Sequence, residues 1–194
     1  MGRAFRGPVT RSADRPLKLV RTPLAGVWEV EPEPIGDERG WFARTFDAKA
    51  FAAAGLSSAV VQCNVSYNAR RDTLRGMHYQ ADPHSEPKLI RCVRGAIFDV
   101  AVDLRPGSAT FRRWHAAELS AENHRALYIA PGLAHGFQTL TADCEVEYQM
   151  GSAYVADAGR GVRWDDPAFA IEWPRPEGER IISERDRNYV DFDA

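Results

Sequence analysis

The sequence predicts an all-β domain, a sandwich, jelly roll or barrel. Three observations predict it. The central half breaks into strand-sized apolar runs, each bounded by Gly, Pro, Asp or Asn. One run, Ala96–Leu104, alternates with a period of two. A single stretch carries helix-start and helix-stop signals. Short strands at this spacing are the pattern of two-layer or closed β architectures.

Taken in order, residues 1–16 are polar and arginine-rich (Arg3, Arg6, Arg11 and Arg15) and read as a flexible extension. Residues 17–194 read as one domain. DAKAFAAAG, from Asp47 to Gly55, is the helix, with Asp47 as its N-cap. In AIFDVAVDL, Phe98, Val100, Val102 and Leu104 share one face, while Asp99 and Asp103 share the other. An acid on a dry inner face is unfavourable, so one of the two is expected to meet a cavity or water, with a solvated outer face as the competing reading. RPGSAT is a turn, and FRRWHAAELS, ALYIAPG, HGFQTLTAD and EVEYQM are further strands. The tail WPRPEGERIISERDRNYV is broken by prolines and is expected to wrap the surface.

Composition bounds the function. The chain has 194 residues, 44% hydrophobic, enough for a core at this length. A formal net charge of −2 leaves no global basic field for nucleic acid or a membrane surface. No apolar run approaches the ~18 residues of a spanning helix, and no secretory h-region is visible. Cys63, Cys92 and Cys144 are widely spaced and odd in number, which favours reduced thiols and a cytoplasmic location.

The chemistry centres on LRGMHYQ, Leu74 to Gln80. His78 admits three readings: metal ligand, acid–base group or structural residue. Jelly rolls include the metal-binding cupins, whose motifs this chain meets only in part. Gln80 stands where a second histidine would, Glu86 and Gly95 sit at plausible spacing, and PGLAHGF supplies His135 but places Thr139 in the asparagine slot. Two imidazoles and a glutamine make a poor donor set, so no metal and no cofactor are expected. An imidazole of ordinary pKa near ~6.5 is suited to moving protons at neutral pH, given a carboxylate to orient it and a cation to stabilise the resulting charge. Arg75, Lys88 and acids in the tail are candidates. A hydrogen-bonded structural histidine is the rival reading.

Taken together, GDERGWF, VVQCNVSYN, TLRGMHYQ, KLIRCVRGAIFDVAVDLRPGSATF, ELSAEN, LYIAPGLAHGF, EVEYQM, GVRWDDPAFAIEWP and ISERD, in that order from Leu17 to Asp186, resemble the dTDP-4-dehydrorhamnose 3,5-epimerases. These are metal-free sugar-nucleotide epimerases of cupin type. The resemblance implies a double-stranded β-helix, or jelly roll, with a few short helices. It implies a nucleotide-diphospho-4-keto-6-deoxyhexose substrate and inversion at C3 and/or C5 by proton removal beside the ketone, followed by reprotonation from the other face. The family's base matches His78, its orienting carboxylate Asp186, its opposing acid Tyr148, and its oxyanion lysine Lys88. Substrate contacts match Arg75, Gln62, Asn64, His135 and Arg39, the last often reaching a neighbouring subunit's nucleotide from an exchanged strand. Tyr154 and Trp164 occupy aromatic positions near the pocket, and Arg185 stands where the family has lysine. A homodimer with exchanged N-terminal strands is implied.

The departures are Cys63 for the aspartate of V-Q-D-N, Gln149 for the lysine after Tyr148, Arg44 and Gly159 at slots that are usually acidic, and Arg185 itself. They cluster where the family meets the nucleotide. They leave open a single-carbon epimerase on a CDP- or other NDP-linked sugar. A metal-dependent cupin enzyme and a non-catalytic sugar-nucleotide-binding jelly roll are the further alternatives.

Overall fold

The computed structural model describes residues 17–176 and 178–192. The extension expected over residues 1–16 lies outside the described residues. Two antiparallel sheets face each other. The first runs β1 (Lys18–Arg21), β2 (Val27–Glu31), β10 (Ala126–Ile129), β7 (Lys88–Arg94), β12 (Cys144–Met150), β5 (Gln62–Asn68). The second runs β13 (Gly159–Gly161), β6 (Thr73–Gln80), β11 (Leu133–Thr139), β8 (Ala96–Asp103), β9 (Trp114–Ser120), with β14 (Ile181–Ile182) added parallel to β6. A separate hairpin, β3 (Ile35–Asp37) and β4 (Gly40–Phe42), pairs with neither sheet, and its Trp41 ring centre lies 4.2 Å from that of His124.

The core lies between the sheets. Ile90, Cys92, Ile97, Ala101, Leu119, Leu127, Ile129, Phe137 and Val146 meet there, all buried. Burial on both sheet faces extends this. Val100 and Val102 on β8, and Leu104 just beyond it, point the other way and are covered by Val162, Phe169 and Trp173 of the C-terminal segment. The tail therefore wraps the second sheet as its prolines predict. The solvated-face reading of Asp99 and Asp103 does not hold, because both side chains are fully buried. Asp103 is held by Arg105 at 2.8 Å and Thr110 at 2.7 Å, and Asp99 by His135 at 2.7 Å.

The expected helix is α1 (Ala48–Ala53). The Asp47 side chain accepts from the backbone N–H of Lys49 and Ala50, and Phe51 anchors the helix on the outer face of the first sheet. A second helix, α2 (Glu184–Arg187), is a single turn capped by Ser183 and was too short to show a period.

On β5 the apolar pattern is inverted. Gln62, Asn64, Ser66 and Asn68 occupy one face, and Tyr148 is the register partner of Asn64 on β12. Val65 and Tyr67 point outward, 64% and 52% exposed. The polar face of an edge strand thus forms a wall of the interior.

Candidate active site

A cavity of about 350 Å³ opens between the two sheets. His78, Lys88, Tyr148, Arg75, Asn64, His135, Tyr154 and Arg185 all line it, with Ser66, Glu86 and Arg160. The walls come from different sheets: His78 and His135 from β6 and β11, Lys88 and Tyr148 from β7 and β12.

His78 owes its placement to two glycines. Gly76 has φ +132°, and a Cβ there would lie 2.5 Å from the Cα of Gly136. A Cβ on Gly136 would lie 2.8 Å from the Arg75 carbonyl oxygen. The β6 and β11 backbones can approach this closely only without side chains, and the register shifts between His135 and Phe137 at this point.

His78 Nε2 lies 2.7 Å from Asp186 Oδ1, 108 residues away in sequence. The second oxygen of Asp186 accepts from the Gly76 backbone N–H at 3.1 Å. Asp186 is buried, and burial pushes its pKa up. The His78 and Gly76 bonds and the nearby Arg185 charge outweigh that, so the carboxyl sits below its ordinary range. The result is a carboxylate poised to orient an imidazole and to stabilise its cation.

Tyr148 faces the cavity from the other sheet. Burial pushes its pKa up to about 12, against an opposing effect from the Ser66 hydroxyl 3.3 Å away. The phenol is therefore a proton donor throughout the neutral range. Lys88 is buried beside Glu86, to which its Nζ donates. Burial holds its pKa below the ordinary lysine value, an effect the Glu86 charge and hydrogen bond only partly offset. Glu86 Oε2 has no hydrogen-bond partner among the described residues. Arg75 donates through Nε to Asn68 Oδ1 at 2.7 Å. With Arg160 and Arg185, it gives the cavity a cationic character suited to a diphosphate.

Four expected residues do not line this cavity, the first being Asp186, which meets His78 at 2.7 Å without lining the cavity itself. Gln62 sits beside it, donating to Asn64 at 3.1 Å and accepting from the Tyr154 backbone N–H at 3.2 Å. Trp164 packs against the C-terminal layer under the Arg180 guanidinium, 4.9 Å from its ring centre, because its position on the wrap turns it to the outer face of the second sheet. Arg39 is on the β3–β4 hairpin, exposed and paired with Asp37, since that hairpin pairs with neither sheet of the cavity. Among the described residues, no group of three or more His, Cys, Asp or Glu converges to hold a metal ion. Sequence reasoning missed Ser66 and Arg160 as part of this environment; it placed Glu86 only at a cupin-motif spacing and left open which of Asp99 and Asp103 meets the cavity. The alternation of β5 could have exposed Ser66, since it shares a face with Asn64.

Two facing antiparallel sheets enclosing a polar cavity define a jelly roll of cupin type. The model of the dTDP-4-dehydrorhamnose 3,5-epimerase family matches residues 21–194, and the chain belongs to that family. It is 44% identical over 163 residues to a dTDP-4-dehydrorhamnose 3,5-epimerase of Sinorhizobium fredii, covering 84% of this chain and 83% of that protein. Among solved structures, it resembles a Legionella pneumophila dTDP-6-deoxy-D-glucose-3,5-epimerase in complex with dTDP-4-keto-L-rhamnose, with TM-score 0.84 and 36% identity over 90% of this chain and 92% of that one. It also resembles ChmJ, a 3'-monoepimerase from Streptomyces bikiniensis in complex with dTDP-quinovose, with TM-score 0.81 and 37% identity over 88% and 87%.

Proposed function

We propose that the protein epimerises a dTDP-linked 4-keto-6-deoxyhexose, converting the dTDP-4-dehydro-6-deoxyglucose type to the dTDP-4-dehydrorhamnose type. The observation that carries this is the placement of His78, held by Asp186, and of the Tyr148 phenol on opposite walls of one cavity. Inversion of a carbon beside a ketone needs a base on one face of the ring and an acid on the other. His78 removes the proton and becomes imidazolium, stabilised by Asp186. Electrons move into the ketone, giving an enolate whose oxygen is met by the Lys88 ammonium, with Arg75 nearby. Tyr148 returns a proton from the opposite side, and the stereocentre inverts. The substrate's own ketone is the electron sink, so the chemistry calls for no cofactor.

Asn64, Gln62 and His135 hold the sugar, and Arg75, Arg160 and Arg185 hold the diphosphate. Tyr154, 59% exposed at the mouth, receives the nucleotide. Arg39 reaches the nucleotide of a second copy in a homodimer with exchanged N-terminal strands. The outward Val61, Val65, Tyr67 and Val93, and the hairpin's own Trp41 and Phe42, are exposed apolar side chains that such a dimer would cover. Three free cysteines agree with a reducing, cytoplasmic setting, and no helix among the described residues is long and apolar enough to cross a membrane.

Similarity to a monoepimerase favours a second reading, in which only one carbon inverts. Incubation with dTDP-4-keto-6-deoxyglucose in D₂O, followed by NMR, separates the two. Deuterium at C3 and C5 supports double inversion, and deuterium at one carbon supports the single epimerase. Absence of label at both, with a CDP-linked sugar run in parallel also unlabelled, overturns the proposal.

A further inference from the structure

Tyr189 lies two residues beyond α2, outside every stretch that carries the proton chemistry. Its surroundings are specific. The ring meets the imidazole of His78 edge-on, with centroids 6.0 Å apart and planes at 72°. Its hydroxyl accepts from Arg185 Nε at 2.8 Å, and the Arg185 guanidinium carbon lies 5.8 Å from the ring centre. The ring occupies the space over Gly161, which is the register partner of His78 on β13. A Cβ added to Gly161 would collide with the Tyr189 ring. Gly161 is not among the glycines with positive φ, so its backbone would accept any residue. The ring, and not the backbone, requires glycine at this place. Tyr189 thus substitutes for the missing cross-strand neighbour of His78.

We propose that Tyr189 is a positioning residue with two separable actions. Its ring holds the His78 imidazole at the angle Asp186 needs, and its hydroxyl holds the Arg185 guanidinium toward the substrate's diphosphate. Arg185, Asp186 and Tyr189 lie within five consecutive residues, so one turn of chain delivers the anion contact, the carboxylate and the clamp together. This rests on the reading of His78 as the base and Arg185 as a substrate contact. Remote binding contacts and base orientation then share one side chain, and each can be lost alone.

The test compares steady-state kinetics of Tyr189→Phe, Tyr189→Ala and Gly161→Ala on dTDP-4-keto-6-deoxyglucose, with His78→Asn as the control. Tyr189→Phe keeps the ring and frees Arg185, so KM rises roughly tenfold while kcat stays near wild type. Tyr189→Ala also lowers kcat, by about 10²-fold, as a misaligned base does. Gly161→Ala pushes the ring aside with Tyr189 still present and reproduces the loss in kcat. A merely structural role would lower thermal stability without this split between KM and kcat. Unchanged KM in Tyr189→Phe overturns the hydroxyl's action, and because that variant is nearly isosteric it tests the proposal even where Tyr189→Ala does not fold. Wild-type kcat in Gly161→Ala overturns the ring's action. Wild-type kinetics in all three beside an inactive His78→Asn removes Tyr189 from the mechanism and leaves the base in place, whereas an active His78→Asn removes both.

Discussion

His78 and His135 are register partners across β6 and β11, and each imidazole is tied by Nε2 to its own carboxylate at 2.7 Å. The carboxylates differ. Asp186 is held below the ordinary range by its bonds, while burial pushes Asp99 above it despite the opposing effect of His135. Asp99 Oδ2 has no hydrogen-bond partner among the described residues. One pair is equipped to stabilise a cation, and in the other a buried Asp99 supports the His135 that lines the cavity.

That difference predicts the result of Asp186→Asn. The amide keeps the size of the carboxyl but cannot neutralise an imidazolium. We expect kcat to fall by about 10²–10⁴ with little change in the far-UV circular dichroism spectrum. Turnover within a factor of a few of wild type would remove Asp186 from the mechanism.

Tyr148→Phe separates the two proton transfers. With His78 intact, the proton beside the ketone still leaves and returns on the same face. Deuterium from solvent is therefore incorporated without inversion, and the rate of epimer formation drops by about 10²–10⁴. An equal loss of exchange and inversion would place Tyr148 in the first step instead.

Asp103 ties stability to pH. Burial raises its pKa, but Arg105, Ser108 and Thr110 together hold it at about 2. An unfolded aspartate titrates near ~3.9, so the folded state favours the charged form, and the stabilisation is fully present above that value. It is lost as pH falls from about 4 through about 2. Asp103→Asn should cost about 2 kcal/mol at pH 7 in urea unfolding, and the gap to wild type should close toward pH 2. A gap constant with pH would assign the effect to packing.

Gly76→Ala tests the close approach of β6 and β11. The added methyl meets Gly136 Cα in a backbone conformation that L-residues rarely adopt. Destabilisation of about 3 kcal/mol or more is expected, read as a lowered Tm with loss of activity. A variant with wild-type Tm would show that the strands can separate without consequence.

Analytical ultracentrifugation checks the dimer. The wild-type chain should sediment as a dimer, and Val93→Glu, which places a charge in the outward apolar surface, should shift it toward monomer. A monomeric wild type would leave the outward valines without a partner and Arg39 without a route to a nucleotide.

Much of this was legible in the sequence, for physical reasons. The period of two in Ala96–Leu104 announced β8, and Asp47 announced α1 through its capping chemistry. The side of burial was less visible. Alternation reports two faces, but not that the C-terminal segment covers one and that a His135–Asp99 pair makes the other tolerable. On β5 polarity points inward, so a rule that buries apolar residues inverts the strand. Asp186 and His78 are brought together by a long return of the chain that no local spacing encodes; the family resemblance identified the pair. Trp164 shows the converse, a position expected near the pocket that packs into the covering layer.

The parallel pairing of β14 with β6 has a further consequence. The sandwich core is assembled from strands that precede residue 151, whereas the carboxylate beside His78 arrives on the segment after Arg180. Arg175, Gly178 and Glu179, on the connection leading to it, are exposed to solvent. A protease that nicked this connection could release the segment bearing Asp186, leaving the two-sheet core standing but catalytically silent. With Asp186 in its proposed role, activity would report the intactness of this molecule more sensitively than shape.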